Sequence, residues 1–311
     1  MIFAIIACIC WSIAIFPVTE AVKRIGHLPV NFFRHLIAFF VFTAFILIVN
    51  PLFFKITITD IKFKPLAYLL LSGILGLALS DLLRLKSLQI LGIKTVSIFS
   101  SFQPVISLSL GFCFLNEHHN FIGITGLIFV CSGLLIYVTA KKEVASLYNA
   151  GYKLSIKAVG ILLICMLLQG FAIVFSKLAI FNLNGTLQPF EMAFVRIIGA
   201  VSVMLILALI IKKLKLWLID FKNNKNKANN YFIISTFLGN IIAVSFSLYA
   251  LSMADSVIVQ SIFSLVPFFI LPINYFINKE KITLTTITSF LISITGVYLT
   301  LWEKSIIKFI V

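Results

Sequence analysis

Charge is scarce in this chain. Only 11% of its 311 residues are Asp, Glu, Lys or Arg, where a soluble domain carries about 25%. With 61% hydrophobic residues and a mean hydropathy of +1.14, an ordinary soluble globule is excluded and a bilayer is expected, where about 20 apolar residues make one spanning helix. Cysteine is sparse as well. Cys8, Cys10, Cys113, Cys131 and Cys165 all lie in apolar segments and form no Cys-x-x-Cys pair. Neither a disulfide framework nor a metal site is expected, and each thiol reads as a small hydrophobe. The chain has no Gly-x4-Gly-Lys-Ser/Thr loop, which excludes a built-in nucleotide motor. It has no Gly-x-Ser-x-Gly and no His-Glu-x-x-His, and its four aspartates are isolated, which argues against an intramembrane protease or diphosphate chemistry. No catalytic residue, cofactor or metal is expected. His118 and His119 are adjacent and diverge on a helix, so they do not form a metal pair. No basic residue precedes the first apolar segment, so that segment is expected to be a retained helix rather than a cleaved signal.

What is present is apolar length and a repeat. Pro104, Glu117 and Gly133 return as Pro267, Glu280 and Gly296, each 163 positions later. The same offset pairs Ser72 with Ser235, Gly76 with Gly239 and Ser101 with Ser264. A fixed offset over half a chain is an internal duplication. Ten spans are expected, near 2–22, 30–50, 66–83, 90–114, 120–140, 156–177, 190–211, 231–250, 255–277 and 283–302. The expected fold class is therefore an all-α polytopic membrane protein. Residues 1–140 form a first five-helix repeat, 141–155 a linker, 156–302 a second five-helix repeat and 303–311 a short tail. Five is odd, so two consecutive repeats of five spans cross the membrane in opposite senses, the inverted-repeat plan of many secondary transporters. The polar stretch 212–229 is expected to be mobile. The net charge of +15 sits between apolar segments, which speaks for membrane orientation and against nucleic-acid binding. Lys and Arg concentrate in the loops around 23–24, 84–86, 141–157, 212–227 and 279–281, which places the termini outside the cytoplasm. The 32 phenylalanines suit lipid contact.

The run Gly76-x4-Asp81, Leu88-x3-Gly92, Pro104, Glu117, Gly123 and Gly133 resembles the EamA family of the drug/metabolite transporter superfamily. Gly239, Leu251, Pro267, Glu280 and Gly296 repeat part of it, and Arg34, Arg196 and the Trp11-Ser12 pair also fit. The resemblance implies a ten-helix carrier in the inner, or cytoplasmic, membrane. It would move small metabolites, often amino acids or related compounds and often outward, by alternating access. Two features depart from the pattern. Thr286 and Ser289 stand where Gly123 and Gly126 stand in the first half, and the family's termini are usually cytoplasmic, against the charge count.

A residue repeated in both halves more readily serves the fold, and a polar residue in one half more readily serves a substrate. Asp81 faces Val244 at the repeat offset. It could take up a proton, hold a substrate ammonium, or pair with Arg84 one turn on. Arg34 and Arg196 are either anchors or clamps for an anionic group. Trp11 fills the core or stacks on a substrate ring. Gln169, Asn240 and Gln260 are interhelical bridges or pocket donors. Ser97, Ser100 and Ser101 carry a weaker signal. Pro104 and Pro267 are expected inside the fourth and ninth spans as kinks or hinges. Glu117 and Glu280 are expected to cap the helices that follow them. The expected partners are a small-molecule substrate, the lipid bilayer, and a proton or counter-substrate for coupling, with monomer and homodimer both open. The competing classes are an intramembrane enzyme and a channel or non-transporting scaffold.

Overall fold

Backbone amides have no water to bond in hydrocarbon, so apolar segments of this length satisfy themselves as helices. The computed structural model describes residues 1–49, 62–100, 102–117, 120–139, 155–183, 185–223, 227–278 and 283–310. Among them every regular element is helical. Ser101, His118, His119, Glu280 and most of the expected linker 141–155 lie outside the described residues. Six helical stretches are long and apolar enough to cross a membrane, and four shorter apolar stretches accompany them.

The first half begins with α1 (Ile2–Ile25) and α2 (His27–Val49). Then α3 (Phe63–Ser72) runs through a π-helical stretch, Gly73–Ser80, into α4 (Asp81–Ser100). Next come α5 (Gln103–Leu115) and α6 (Phe121–Thr139). The second half has α7 (Ile156–Leu183), α8 (Pro189–Ile210) and a short α9 (Leu214–Lys222). It continues with α10 (Ala228–Ser235), a second π-helical stretch at Thr236–Ala243, and α11 (Val244–Met253). It ends with α12 (Ser256–Phe263), α13 (Val266–Asn278) and α14 (Leu284–Ile310). The 163-residue offset maps the two π-helical stretches onto each other, and α5 onto α13, to the residue.

Three expectations change. The fourth span is not one helix over 90–114. Gly92 adopts φ 74° and ψ 170°, a conformation essentially confined to glycine, and the chain turns again before α5. The span is thus two short helices, 93–100 and 103–115. The ninth span breaks likewise between α12 and α13. Pro104 and Pro267 therefore do not kink a helix interior. Each is the second residue of its half-helix, where a missing N–H costs no intrahelical bond. Pro104→Ala is accordingly expected to cost no more than about 1 kcal/mol, mostly through the unfolded chain, against about 3 kcal/mol for a proline in a helix interior. Equilibrium unfolding in detergent measures it. Second, part of the polar stretch 212–229 is ordered. Trp217 of α9 is buried and meets Phe32, while Phe221 stacks on Phe33. Aromatic burial on one face outweighs the lysines on the other. Third, the last helix does not stop near 302 but runs on to Ile310.

The halves interlock rather than sit side by side. In the first half, α1 packs on α10, the second π-helical stretch and α11. In the second half, α7 packs on α3, the first π-helical stretch, α4 and α5. The pair α2 and α8 also meet. A close crossing joins α6 and α14. A Cβ on Gly126 would stand 2.6 Å from the Gly296 carbonyl oxygen, and one on Gly296 would stand 2.4 Å from that of Gly126. Small residues let two backbones touch there, which is how membrane helices associate without a hydrophobic force.

Candidate functional site

The two breaks and the two π-helical stretches converge on one cavity of about 150 Å³. Its wall is drawn from both halves at matched positions. Gly76 and Gly239, Leu77 and Asn240, Asp81 and Val244, Ser97 and Gln260, Ser100 and Phe263, Gln103 and Val266 all line it, each pair 163 residues apart. The positions are symmetric and, glycine apart, the chemistry is not. Trp11 forms another side. Its Nε1 donates to the Gly239 carbonyl at 3.2 Å and its ring meets Phe263 edge-on at 4.8 Å.

A single hydrogen-bonded chain crosses this wall. Arg84 Nε donates to Asp81 Oδ1 at 2.9 Å, joined by Arg84 Nη2. Arg34 Nη1 donates to Asp81 Oδ2 at 3.0 Å, and Arg34 Nη2 to Asn240 Oδ1. Asn240 Nδ2 meets His35 Nδ1 at 2.9 Å, and His35 Nε2 meets the Leu77 carbonyl at 2.7 Å. A carbonyl only accepts, so His35 Nε2 carries the proton and Nδ1 accepts from Asn240. The ring is thereby fixed as one neutral tautomer. Every link from Arg84 to Leu77 has a donor and an acceptor, which is how buried polar groups are stabilised in a low dielectric. Asn240 is the one member from the second half.

Arg196 is the counterpart of Arg34 in space. A Cβ on Gly239 would lie 3.3 Å from Arg34 Nη2, and a Cβ on Gly76 would lie 3.4 Å from Arg196 Nη2. Each guanidinium thus rests against the glycine of the opposite half's π-helical stretch. Among the described residues only Arg34 has ion-pair and hydrogen-bond partners, although its Nε, like that of Arg196, is buried without an acceptor. Arg196 is 4% exposed, and among the described residues it makes no ion pair and its Nε is buried without an acceptor.

A second, smaller set of charges holds the turn between α11 and α12. Lys177 Nζ donates to the Leu251 and Ala254 carbonyls at 2.6 and 2.5 Å. The Glu117 carboxylate accepts from Ser256 N at 2.9 and 3.1 Å and from Ser256 Oγ at 2.6 Å. Glu117 therefore caps α12 in the other half, not the helix that follows it. Its negative charge still meets a positive helix end, but one reached across 139 residues of sequence.

A model of the EamA-like transporter family matches residues 1–139 and again 156–302. The chain belongs to the EamA-like transporter family. No curated protein matches it. A crystal structure of another protein superposes with a TM-score of 0.67 over 96% of this chain and 94% of that one, at 10% identity. So low an identity shows a shared fold and nothing of the substrate.

Within this EamA-like chain, Asp81, Arg34, Trp11, Gln169, Asn240 and Gln260 all reach the cavity wall. Asp81 does form the pair with Arg84, and adds Arg34, which lies 47 residues away. Arg196 stands behind the Gly76 wall rather than in it, and Ser101 lies outside the described residues. Pro104 and Pro267 do not line the cavity, but their neighbours Gln103 and Val266 do. Among the polar wall residues, Gln103 and Ser80 escaped the sequence reading, and Cys165 was read only as a small hydrophobe. Gln103 faces Val266 at the repeat offset, so the same asymmetry that singled out Asp81 would have found it.

Proposed function

We propose that this chain is a secondary transporter that moves a small metabolite, of the size of an amino acid or a related compound, across the cytoplasmic membrane by alternating access. Its ten spans form two five-helix repeats of opposite orientation, residues 1–140 and 156–302, with the substrate held between them. One observation supports this reading above the rest: a single cavity walled by matched positions of both halves, at the level where the fourth and ninth spans break. Discontinuous helices around a midplane site are the usual construction of such carriers. The broken spans supply backbone ends that can re-pair as the halves rock, while Asp81, Arg34, Asn240, Gln260, Gln169 and Trp11 present polar and aromatic groups to the bound molecule. The energy comes from a gradient or from exchange, and export is the direction favoured by the family resemblance.

The test is accumulation in proteoliposomes. Purified protein is reconstituted, vesicles are loaded with one unlabelled metabolite at a time from a panel of amino acids and their deaminated acids, and uptake of the labelled form is followed. Transient uphill accumulation of at least one panel member, absent from protein-free vesicles, is expected. Equilibration without any overshoot would instead describe a channel, and no flux of any member would describe a scaffold.

A further inference from the structure

At the cavity wall and just behind it, positive charge exceeds negative among the described residues. Arg34 and Asp81 neutralise each other at 3.0 Å with both side chains buried. Asp81 is also fully occupied, because its other oxygen takes two bonds from Arg84. Arg84 itself is about a third exposed, so water can solvate its charge. That leaves Arg196. Arg196 is 4% exposed, and no carboxylate among the described residues pairs with it. The residues that match Asp81 and Asn240 on its side are Val244 and Leu77, both apolar. A charge held in a low dielectric without a counter-charge is costly and is normally found where an anion arrives.

We propose that the substrate is an organic monoanion, a carboxylate without a balancing ammonium, and that Arg196 receives its acid group. This rests on the transporter reading above. Gly76 and Gln169 line the cavity and Arg196 lies just behind them: a Cβ on Gly76 would stand 3.4 Å from Arg196 Nη2, 3.3 Å from Gln169 Oε1 and 2.8 Å from the Ala172 Cβ, so only a glycine leaves this approach open. Guanidinium binds carboxylate through two parallel bonds, and Gln169 offers an amide beside it. The wall residues Trp11, Phe263 and Val244 suit an apolar body. A cavity of about 150 Å³ is of the size that in another protein admits a benzene ring. Asp81 then serves as the counter-charge that keeps Arg34 in place. It does not receive an ammonium, because both its oxygens are already engaged by guanidinium groups.

Five probes share one ring and differ in charge: phenylacetate, phenylacetamide, 2-phenylethylamine, phenylalanine and phenyl phosphate. Binding to the purified protein is measured by thermal shift and calorimetry, and movement by counterflow in proteoliposomes. Phenylacetate is expected to bind at least about tenfold more tightly than the other four, as expected when a buried charged hydrogen bond is lost. Arg196→Gln should reduce its affinity to that of phenylacetamide, and Arg196→Lys should restore part of it. Arg196→Gln strands no partner, so it should fold, and its unliganded melting temperature checks this. Tighter binding of phenylalanine or of the amine, with counterflow, would overturn the anion assignment and leave the transporter reading standing. Tighter binding of phenyl phosphate would overturn the single charge. Unchanged phenylacetate affinity in Arg196→Gln, or binding of none of the five, would overturn the proposal, while the accumulation panel decides the transporter reading separately.

Discussion

Asp81→Asn is expected to destabilise the protein by about 3–5 kcal/mol, the range seen when one partner of a buried ion pair is removed and the other is left charged. Arg34 is 3% exposed and, among the described residues, its only carboxylate partner is Asp81. Asparagine keeps the shape and one acceptor oxygen, so the loss reports charge rather than volume. The effect should be visible as a lower midpoint in equilibrium unfolding in detergent. Removing both charges is the informative control. Asp81→Asn combined with Arg34→Gln should cost clearly less than the two single changes added together, because neither variant side chain then needs a counter-charge. An Asp81→Asn protein that unfolds within about 1 kcal/mol of the parent would mean that water or a relaxed Arg34 rotamer replaces the carboxylate, and the buried-pair account would be wrong.

Gly73→Ala should be at least as damaging. A Cβ at this position would lie 1.9 Å from the Arg196 carbonyl oxygen and 2.6 Å from its carbonyl carbon. Those are backbone atoms in the middle of α8, so no rotamer change relieves the clash. Gly199 makes the reciprocal approach, its Cβ position standing 2.5 Å from the Leu70 carbonyl oxygen. Overpacking usually costs roughly 1–3 kcal/mol, and rigid backbone on the other side puts this case at or above the upper end. The helices would have to separate, and Arg196 would move with α8. Gly160→Ala is the matched control. It lies in α7 with nothing within 4 Å of its Cβ position, so the same substitution should be neutral or stabilise by roughly 0.5–1 kcal/mol through helix propensity. Expression yield and unfolding midpoint of the two variants, side by side, separate packing from propensity. Equal midpoints for both would remove the close-approach argument.

The duplication was legible because it is written in identities at one offset, and span existence followed from apolar length. The breaks were not. Residues 90–114 read as one span because hydropathy averages over a turn: the positive φ of Gly92 starts a new helical piece near its beginning, and Pro104 marks the half-helix that follows the second break. The π-helical stretches leave no trace in composition, since they change hydrogen-bond register without changing which residues are apolar. At the site, asymmetry between halves picked out Asp81 and its pairing with Arg84 could be read from helical spacing. Its bond to Arg34 could not, because only tertiary packing joins residues 47 apart. The same holds for Glu117, whose helix partner lies in the other half. Arg34 and Arg196 looked equivalent in sequence. Their difference appears only when the surroundings of each are compared, and it comes from two substitutions elsewhere, Val244 and Leu77.

The matched wall positions have a consequence for how a bound molecule can lie. A chamber assembled from two copies of either half would show each residue twice, so Asp81 would face a second aspartate or Val244 a second valine. A molecule with unlike ends would then fit equally well in two opposite poses. Here aspartate corresponds to valine and asparagine to leucine. The positions match while the side chains differ, so under the proposed transporter function a passenger with unlike ends would have one preferred pose rather than two.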